Sequence, residues 1–225
     1  MAKILNLETA TTNCSVSISV DGKLVSLKEE NTPNYSHAEQ LHVFIEEALK
    51  EASFSFSDID AIAVSKGPGS YTGLRIGVSA AKGLCFSLDL PLISIPTLKS
   101  MAKQLNVEKD AIIIPVLDAR RMEVYSCIFD YKHNEIRETK AEVIDENSFK
   151  GFTAKYKKVH LIGSGAEKCI DILAKEKFQF HTSAYPSTKE MALLAHKKHE
   201  VGDFEDVAYF EPYYLKDFIL QTKKN

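Results

Sequence analysis

Gly67-Pro68-Gly69-Ser70-Tyr71-Thr72-Gly73, following the apolar run Ala61-Ile62-Ala63-Val64, is the stretch best suited to chemistry. A run fit for a buried strand meets a Gly-Pro-Gly that cannot extend it, and Ser70 or Thr72 then offers an N-cap for a helix. Free backbone N–H groups at such a helix start, beside glycines that let another backbone approach, make a concave site for an anion or an acceptor oxygen. A sharp strand-to-helix turn without a ligand is the alternative, and glycines alone do not separate the two. A Walker loop is excluded, because Thr72-Gly73 is followed by Leu74. Imidazoles offer little more. His37 and His42 are five residues apart, about 140° around a helix, and cannot readily share an ion from there. No Glu-rich or Cys-rich set compensates, so no metal is expected. Cys14, Cys85, Cys127 and Cys169 lie far apart without a Cys-x-x-Cys and read as reduced, mostly buried residues.

With 225 residues and 44% hydrophobic content, the chain can bury a full core as one large domain or two small ones. A net charge of -3 gives no basic footprint for tight unaided binding of nucleic-acid phosphates. The opening eight residues are too short and too soon acidic for a signal peptide, and no apolar run reaches the ~20 residues of a bilayer span. A cytoplasmic protein with no membrane partner is expected.

The elements that must position these groups follow from periodicity. Residues 3–7 read as an apolar strand, Glu8-Thr9-Ala10-Thr11-Thr12-Asn13 as a polar turn, and residues 14–20 as an alternating second strand. Asp21-Gly22 is a hairpin signal that returns the chain through a third strand at 23–30. Ser36 and Glu39 form a capping box for a helix reaching Ala52, with Leu41, Phe44, Ile45, Ala48, Leu49 and Ala52 as its buried stripe. The helix predicted at 72–88 carries Gly73, Gly77, Ala81 and Cys85 at four-residue spacing. Each helical glycine costs ~1 kcal/mol relative to alanine, so the strip predicts a close neighbour, which spacing cannot identify as internal or as a partner. A strand at 92–95 and a helix from Pro96 to about residue 105 follow. Strands then restart at 112–117, 122–131 and 135–144. Beyond a polar link at 145–157 come a strand at 159–162, the turn Gly163-Ser164-Gly165, a helix at 167–173, a strand at 178–180 and a helix at 187–199. Two βββ openings predict two similar α/β domains, 1–99 and 100–206, with segment 207–225 packing back on the first.

Taken whole, Lys66-Gly-Pro-Gly-Ser-Tyr-Thr-Gly-Leu-Arg-Ile-Gly77 closely resembles the bacterial TsaB (YeaZ) family, in the same register. Asp118-Ala119-Arg120 and Pro212-Tyr213-Tyr214-Leu215-Lys216 support the likeness, which extends over essentially the whole chain. The resemblance implies two ribonuclease-H-like domains of the actin, hexokinase and Hsp70 kind. It also implies a non-catalytic subunit required for threonylcarbamoyladenosine on tRNA. Such a subunit pairs with the transferase TsaD, is joined by the ATPase TsaE and meets tRNA only through that complex. Two copies are expected to pair when TsaD is absent.

By the same resemblance, Glu8 with Thr11 and Thr12 stands at the first phosphate loop of that group, Asp118 at the second, and Gly163 and Gly165 at the adenosine-contacting turn. Ala10 replaces the usual glycine, Glu8 stands where sugar-kinase-like members have aspartate, and Arg120 intrudes on the second loop. These positions therefore read as vestigial nucleotide contacts, with ordinary polar turns as the alternative and, for Asp118, a salt bridge to Arg120. Catalytic relatives carry His-x-x-x-His on the first helix. Leu41 takes the second position here, which leaves His37 as a surface or interface residue. No catalytic group and no cofactor of the chain's own are expected, and ATP or ADP could be held at the partner interface. The partner face is expected on two helices: Ser36, His37, Gln40, Leu41 and Phe44 from the first, and Gly69, Ser70, Tyr71, Thr72, Gly73, Arg75, Ile76 and Gly77 from the second and its loop. Two other classes compete, an inactive glycoprotease homologue and an ATP-dependent small-molecule kinase.

Overall fold

A computed structural model describes residues 1–32, 37–173 and 176–215. Strands β1 (Lys3–Glu8), β2 (Asn13–Val20) and β3 (Lys23–Asn31) form an antiparallel meander. Strands β4 (Ala61–Gly67) and β5 (Leu92–Pro96) add in parallel beyond β1, giving the order β3-β2-β1-β4-β5. The second sheet repeats this plan. With β6 (Ala111–Asp118), β7 (Glu123–Asp130), β8 (Glu135–Val143), β9 (Lys158–Ile162) and β10 (Phe178–His181), its order is β8-β7-β6-β9-β10. Two five-stranded mixed sheets with a shared strand order are the tandem α/β architecture that the repeated openings predict.

Helices α1 (His37–Ala52) and α2 (Tyr71–Leu88) cover one face of the first sheet. Leu41, Ile45 and Ala48 of α1 and Val78, Ala81 and Cys85 of α2 pack on Leu5, Leu7, Val16 and Ile18. The other face is covered by α5 (Thr188–Glu200), whose Met191 and Ala195 meet Ile4, Ala61, Ala63, Ile93 and Ile95. Helix α5 thus comes from the stretch that periodicity assigned to the second unit, yet it covers the first sheet. Strand β2 shows why this works. Its alternation suggests a half-exposed strand, but Ser15, Ser17 and Ser19 are buried. The Ser15 hydroxyl lies 2.8 Å from that of Thr188 and accepts the Thr188 N–H at 3.1 Å. Small hydroxyls let α5 come close and find partners there, so both faces of the strand are enclosed.

Short α3 (Thr97–Ala102) joins the two sheets by placing Leu98 and Met101 among Ile113, Leu117 and Phe129. It ends three residues before the expected position. The stretch expected as a helix at 167–173 is instead a 3-10 turn at Glu167–Cys169, closed by i to i+3 bonds such as Cys169 N–H to the Ala166 carbonyl. The polar link holds a helix not foreseen, α4 (Lys150–Thr153), after Phe149 in a left-handed conformation at φ 64. Phe149, Phe152, Cys169 and Leu173 cover the outer face of the second sheet. The expected Ser36 cap and the basic residues Lys216, Lys223 and Lys224 lie outside the described residues.

Candidate functional site

The turn between β1 and β2 closes onto the starts of α1 and α2. Ser70 caps α2 as its sequence position predicts, accepting the Gly73 N–H at 3.3 Å, while its own N–H donates to the Ala10 carbonyl at 2.7 Å. The Thr9 hydroxyl donates to the Gly73 carbonyl at 2.8 Å. A Cβ added at Gly73 would overlap the Thr9 carbonyl, one at Gly77 the Thr9 hydroxyl, and one at Gly69 the Ala10 carbonyl. The small-residue strip is therefore a groove for this turn. The neighbour that spacing left open is internal, since Gly73, Gly77, Ala81 and Cys85 all face the interior, and the expected place of Gly73 and Gly77 on an outward partner face is corrected.

Leu41 is fully buried, as its place in the stripe of the first helix predicts, which removes it from the partner face, and His37 is 1% exposed. The His37 Nε2–H donates to the Thr11 carbonyl at 2.6 Å, fixing the turn from the α1 side. Burial lowers the His37 pKa, opposed by that carbonyl. A surface role for His37 is thereby corrected, because its ring fills the space over the turn.

Glu8 ends β1 with no exposed surface. One carboxylate oxygen accepts the Ala10 N–H at 2.6 Å, and burial pushes the pKa up to about 7 against that hydrogen bond. Its other oxygen, Oε2, is buried without a hydrogen-bond partner among the described residues. Thr12 donates to the Asn31 side chain at 2.7 Å, and the Thr11 hydroxyl lies 3.4 Å from the Asn13 N–H. Glu8 thus points into the protein, whereas Thr11 and Thr12 stay half-buried on the turn.

The equivalent turn between β6 and β7 is held differently. Asp118 accepts the Arg120 backbone N–H at 2.8 Å, an Asx turn, with Arg120 and Arg121 at positive φ. The Asp118 charge meets Lys168, whose Nζ lies 2.6 Å from Oδ1. The same ammonium donates to the Arg121 carbonyl at 2.9 Å and the Glu123 carbonyl at 2.6 Å, which uses all three of its donors. Arg120 contributes its backbone to this turn, and Lys168 is the charge partner. No motif announces Lys168; only a carboxylate in search of a cation hints at such a residue. Gly163, at φ 120, and Gly165 press on β6, where added Cβ atoms would meet the Val116 carbonyl and the Leu117 backbone.

Among the predicted interface residues, Thr72 and Arg75 are exposed, while Gln40, Phe44, Gly69, Ser70, Tyr71 and Ile76 are half-buried. Thr72, Arg75, Ser79 and Phe86 form one outward stripe on α2, and Phe86 is 87% exposed. Phe44, Ile76 and Ala80 flank it at the margin of the core. Among the described residues no three or more His, Cys, Asp or Glu gather as a metal set, and no helix is long and apolar enough to cross a membrane.

Comparison with known proteins agrees with this architecture. The family model described as TsaD, tRNA N6-adenosine threonylcarbamoyltransferase, matches residues 32–222. The tRNA threonylcarbamoyladenosine biosynthesis protein TsaB of Escherichia coli K12 is 30% identical over 98% of this chain and 97% of its own length. A tRNA N6-adenosine threonylcarbamoyltransferase of Bacillus thuringiensis strain Al Hakam is 54% identical over 59 residues, 26% of this chain and 17% of that protein. A Pseudomonas aeruginosa crystal structure, described as an uncharacterized protein with similarity to peptidase YEAZ, superposes with a TM-score of 0.82 at 26% identity, covering 96% of this chain and all of that one. Matched along nearly its whole length in sequence and in fold, the chain belongs to the TsaD family and, within it, to the TsaB (YeaZ) proteins of tRNA threonylcarbamoyladenosine biosynthesis.

Proposed function

We propose that this chain serves tRNA threonylcarbamoyladenosine formation as a pairing subunit, supplying a surface and no reacting group. The observation that carries this reading is the state of the two loop carboxylates. Glu8 is turned inward onto the Ala10 amide, and Asp118 is held by Lys168. A general acid, general base or metal ligand must reach the reacting atoms, and both carboxylates are engaged by the protein's own donors.

The face offered for pairing is the outer side of α1 and α2, with Phe44 and Ile76 beside exposed Thr72, Arg75 and Phe86. Aromatic and arginine side chains next to apolar ones are what interface centres favour. In this reading the partner is the TsaD-type transferase of the same cell. TsaE joins the pair, two copies of this chain pair when the transferase is absent, and tRNA is met through the assembly in the cytoplasm. The chain requires no cofactor of its own. Thr11, Thr12 and the Gly163–Gly165 turn remain as vestiges of a nucleotide site, and ATP or ADP would lie at the partner interface.

Reconstitution tests the reading. The purified chain, given tRNA and threonylcarbamoyl-adenylate, is expected to give no modified nucleoside, with product appearing when the transferase and ATPase are added. Robust product from the chain alone would overturn it.

A further inference from the structure

Beyond α5 the chain runs back across the first half of the molecule. Glu205 forms an isolated antiparallel bridge with Leu92 of β5, and its carboxylate accepts from the Ser94 hydroxyl. Lys82 of α2 donates to the carbonyls of Ala208 at 3.1 Å and Phe210 at 3.0 Å. Val207 and Phe210 pack on the core beneath α1 and α2. The Tyr213 N–H then donates to the Lys66 carbonyl at 2.7 Å, securing the strap to the end of β4, beside the glycine loop.

This anchoring delivers Tyr214 to the first turn of α2. Its ring centroid lies 5.0 Å from that of Tyr71, and its hydroxyl lies 3.3 Å from Arg75 Nε. The Arg75 guanidinium in turn sits 4.1 Å from the Tyr71 ring centroid. Three side chains, one of them 139 residues away from Arg75 in sequence, thereby form a closed stack on the solvent side of the helix. An exposed arginine ordinarily samples many rotamers, and freezing it on association opposes binding. Here a hydrogen bond to Tyr214 and a contact with the Tyr71 ring favour one conformation in the free chain. A stack that served only to pin the strap would not need to engage an exposed guanidinium of the outward stripe.

We infer that Tyr214 is a positioning residue of the pairing face, holding Arg75 with Tyr71 in the conformation that meets the partner. The inference rests on the pairing-face reading above. It extends that face to a segment that folds onto it from the far end of the chain.

A double-mutant cycle on the full chain tests it, with the purified TsaD-type transferase as probe and pairing measured by calorimetry. Tyr214→Ala is expected to weaken pairing roughly tenfold, by returning to Arg75 the rotamer freedom it must lose on binding. Tyr214→Phe, which keeps the ring and drops the hydroxyl, should weaken it less. In an Arg75→Ala background, Tyr214→Ala should cost no further affinity. If Tyr214→Ala leaves pairing intact while Arg75→Ala weakens it, or weakens it equally with and without Arg75, the inference falls and the pairing face stands. If neither Arg75→Ala nor the bulky Ser79→Arg affects pairing, the pairing-face reading itself falls and the inference with it.

Discussion

The turn after β1 and the turn after β6 occupy the same place in two sheets of the same order, and each begins with a carboxylate. The first carboxylate is withdrawn from solvent and tucked under its own turn, which the starts of α1 and α2 then clamp. The second stays half in water, with 54% of the Asp118 side chain exposed, and is neutralised by a lysine from the following 3-10 turn. One site is closed by burial and steric fit, the other by an ion pair with supporting hydrogen bonds. Tandem halves have thus reached the same outcome by different physics. The first solution forms a rigid platform under α2, the helix that carries the outward stripe. The second leaves a local polar lock that affects little beyond its own turn.

The sharpest way to break this comparison is to deny the first turn its groove. Gly73→Ala would drive a methyl group into the Thr9 backbone carbonyl, which cannot move without unseating β1. We expect a loss of about 3 kcal/mol or outright unfolding, read from urea denaturation. An unperturbed variant would mean that α2 is free to shift, and that the platform is not rigid.

Glu8 gives the next effect. Its carboxyl titrates near 4.5 in the unfolded chain and near 7 when folded, so between those values the folded state binds the extra proton. Stability contributed by this group must therefore fall as pH rises from 4.5 to 7 and stay level outside that window. Glu8→Gln removes the term. From pH 4 to pH 8 the native chain should lose roughly 3 kcal/mol more than the variant, a difference in which the histidines largely cancel. Parallel pH profiles would contradict the burial of this group as the cause of its raised pKa.

Lys168→Met should be milder, costing about 1–2 kcal/mol through the lost charge-assisted bonds. Hydrogen exchange should quicken at residues 118–123 and stay unchanged at residues 8–13, since the two locks share no side chain. A spread of the effect into the first turn would show that the halves are coupled.

Much of this arrangement was legible in the sequence, and the exceptions have physical causes. The two βββ openings could be inferred because apolar alternation and turn signals act locally, and Asp21-Gly22 and Ser70 carry turn and cap chemistry of that kind. The orientation of the Gly73–Gly77 strip could not, because spacing reveals a close neighbour but not that Thr9 supplies it. The serines of β2 look like a solvent face, since nothing local announces a helix arriving from residue 188. Lys168 carries no signature at all. A lysine acquires such a role only when the fold brings three acceptors to it.

The central claim is that this chain contributes a surface, and that the surface is the outer side of α1 and α2. Ser79 is exposed midway along α2, so an arginine there fits the free chain but would obstruct a partner seated on the helix. Calorimetric titration of the Ser79→Arg chain with the TsaD-type transferase, alongside its thermal melt, is the most direct measurement. The account predicts affinity reduced by about thirtyfold or more, the scale of a blocked interface centre, with an unchanged melting temperature. Undiminished pairing by a normally folded variant would contradict it.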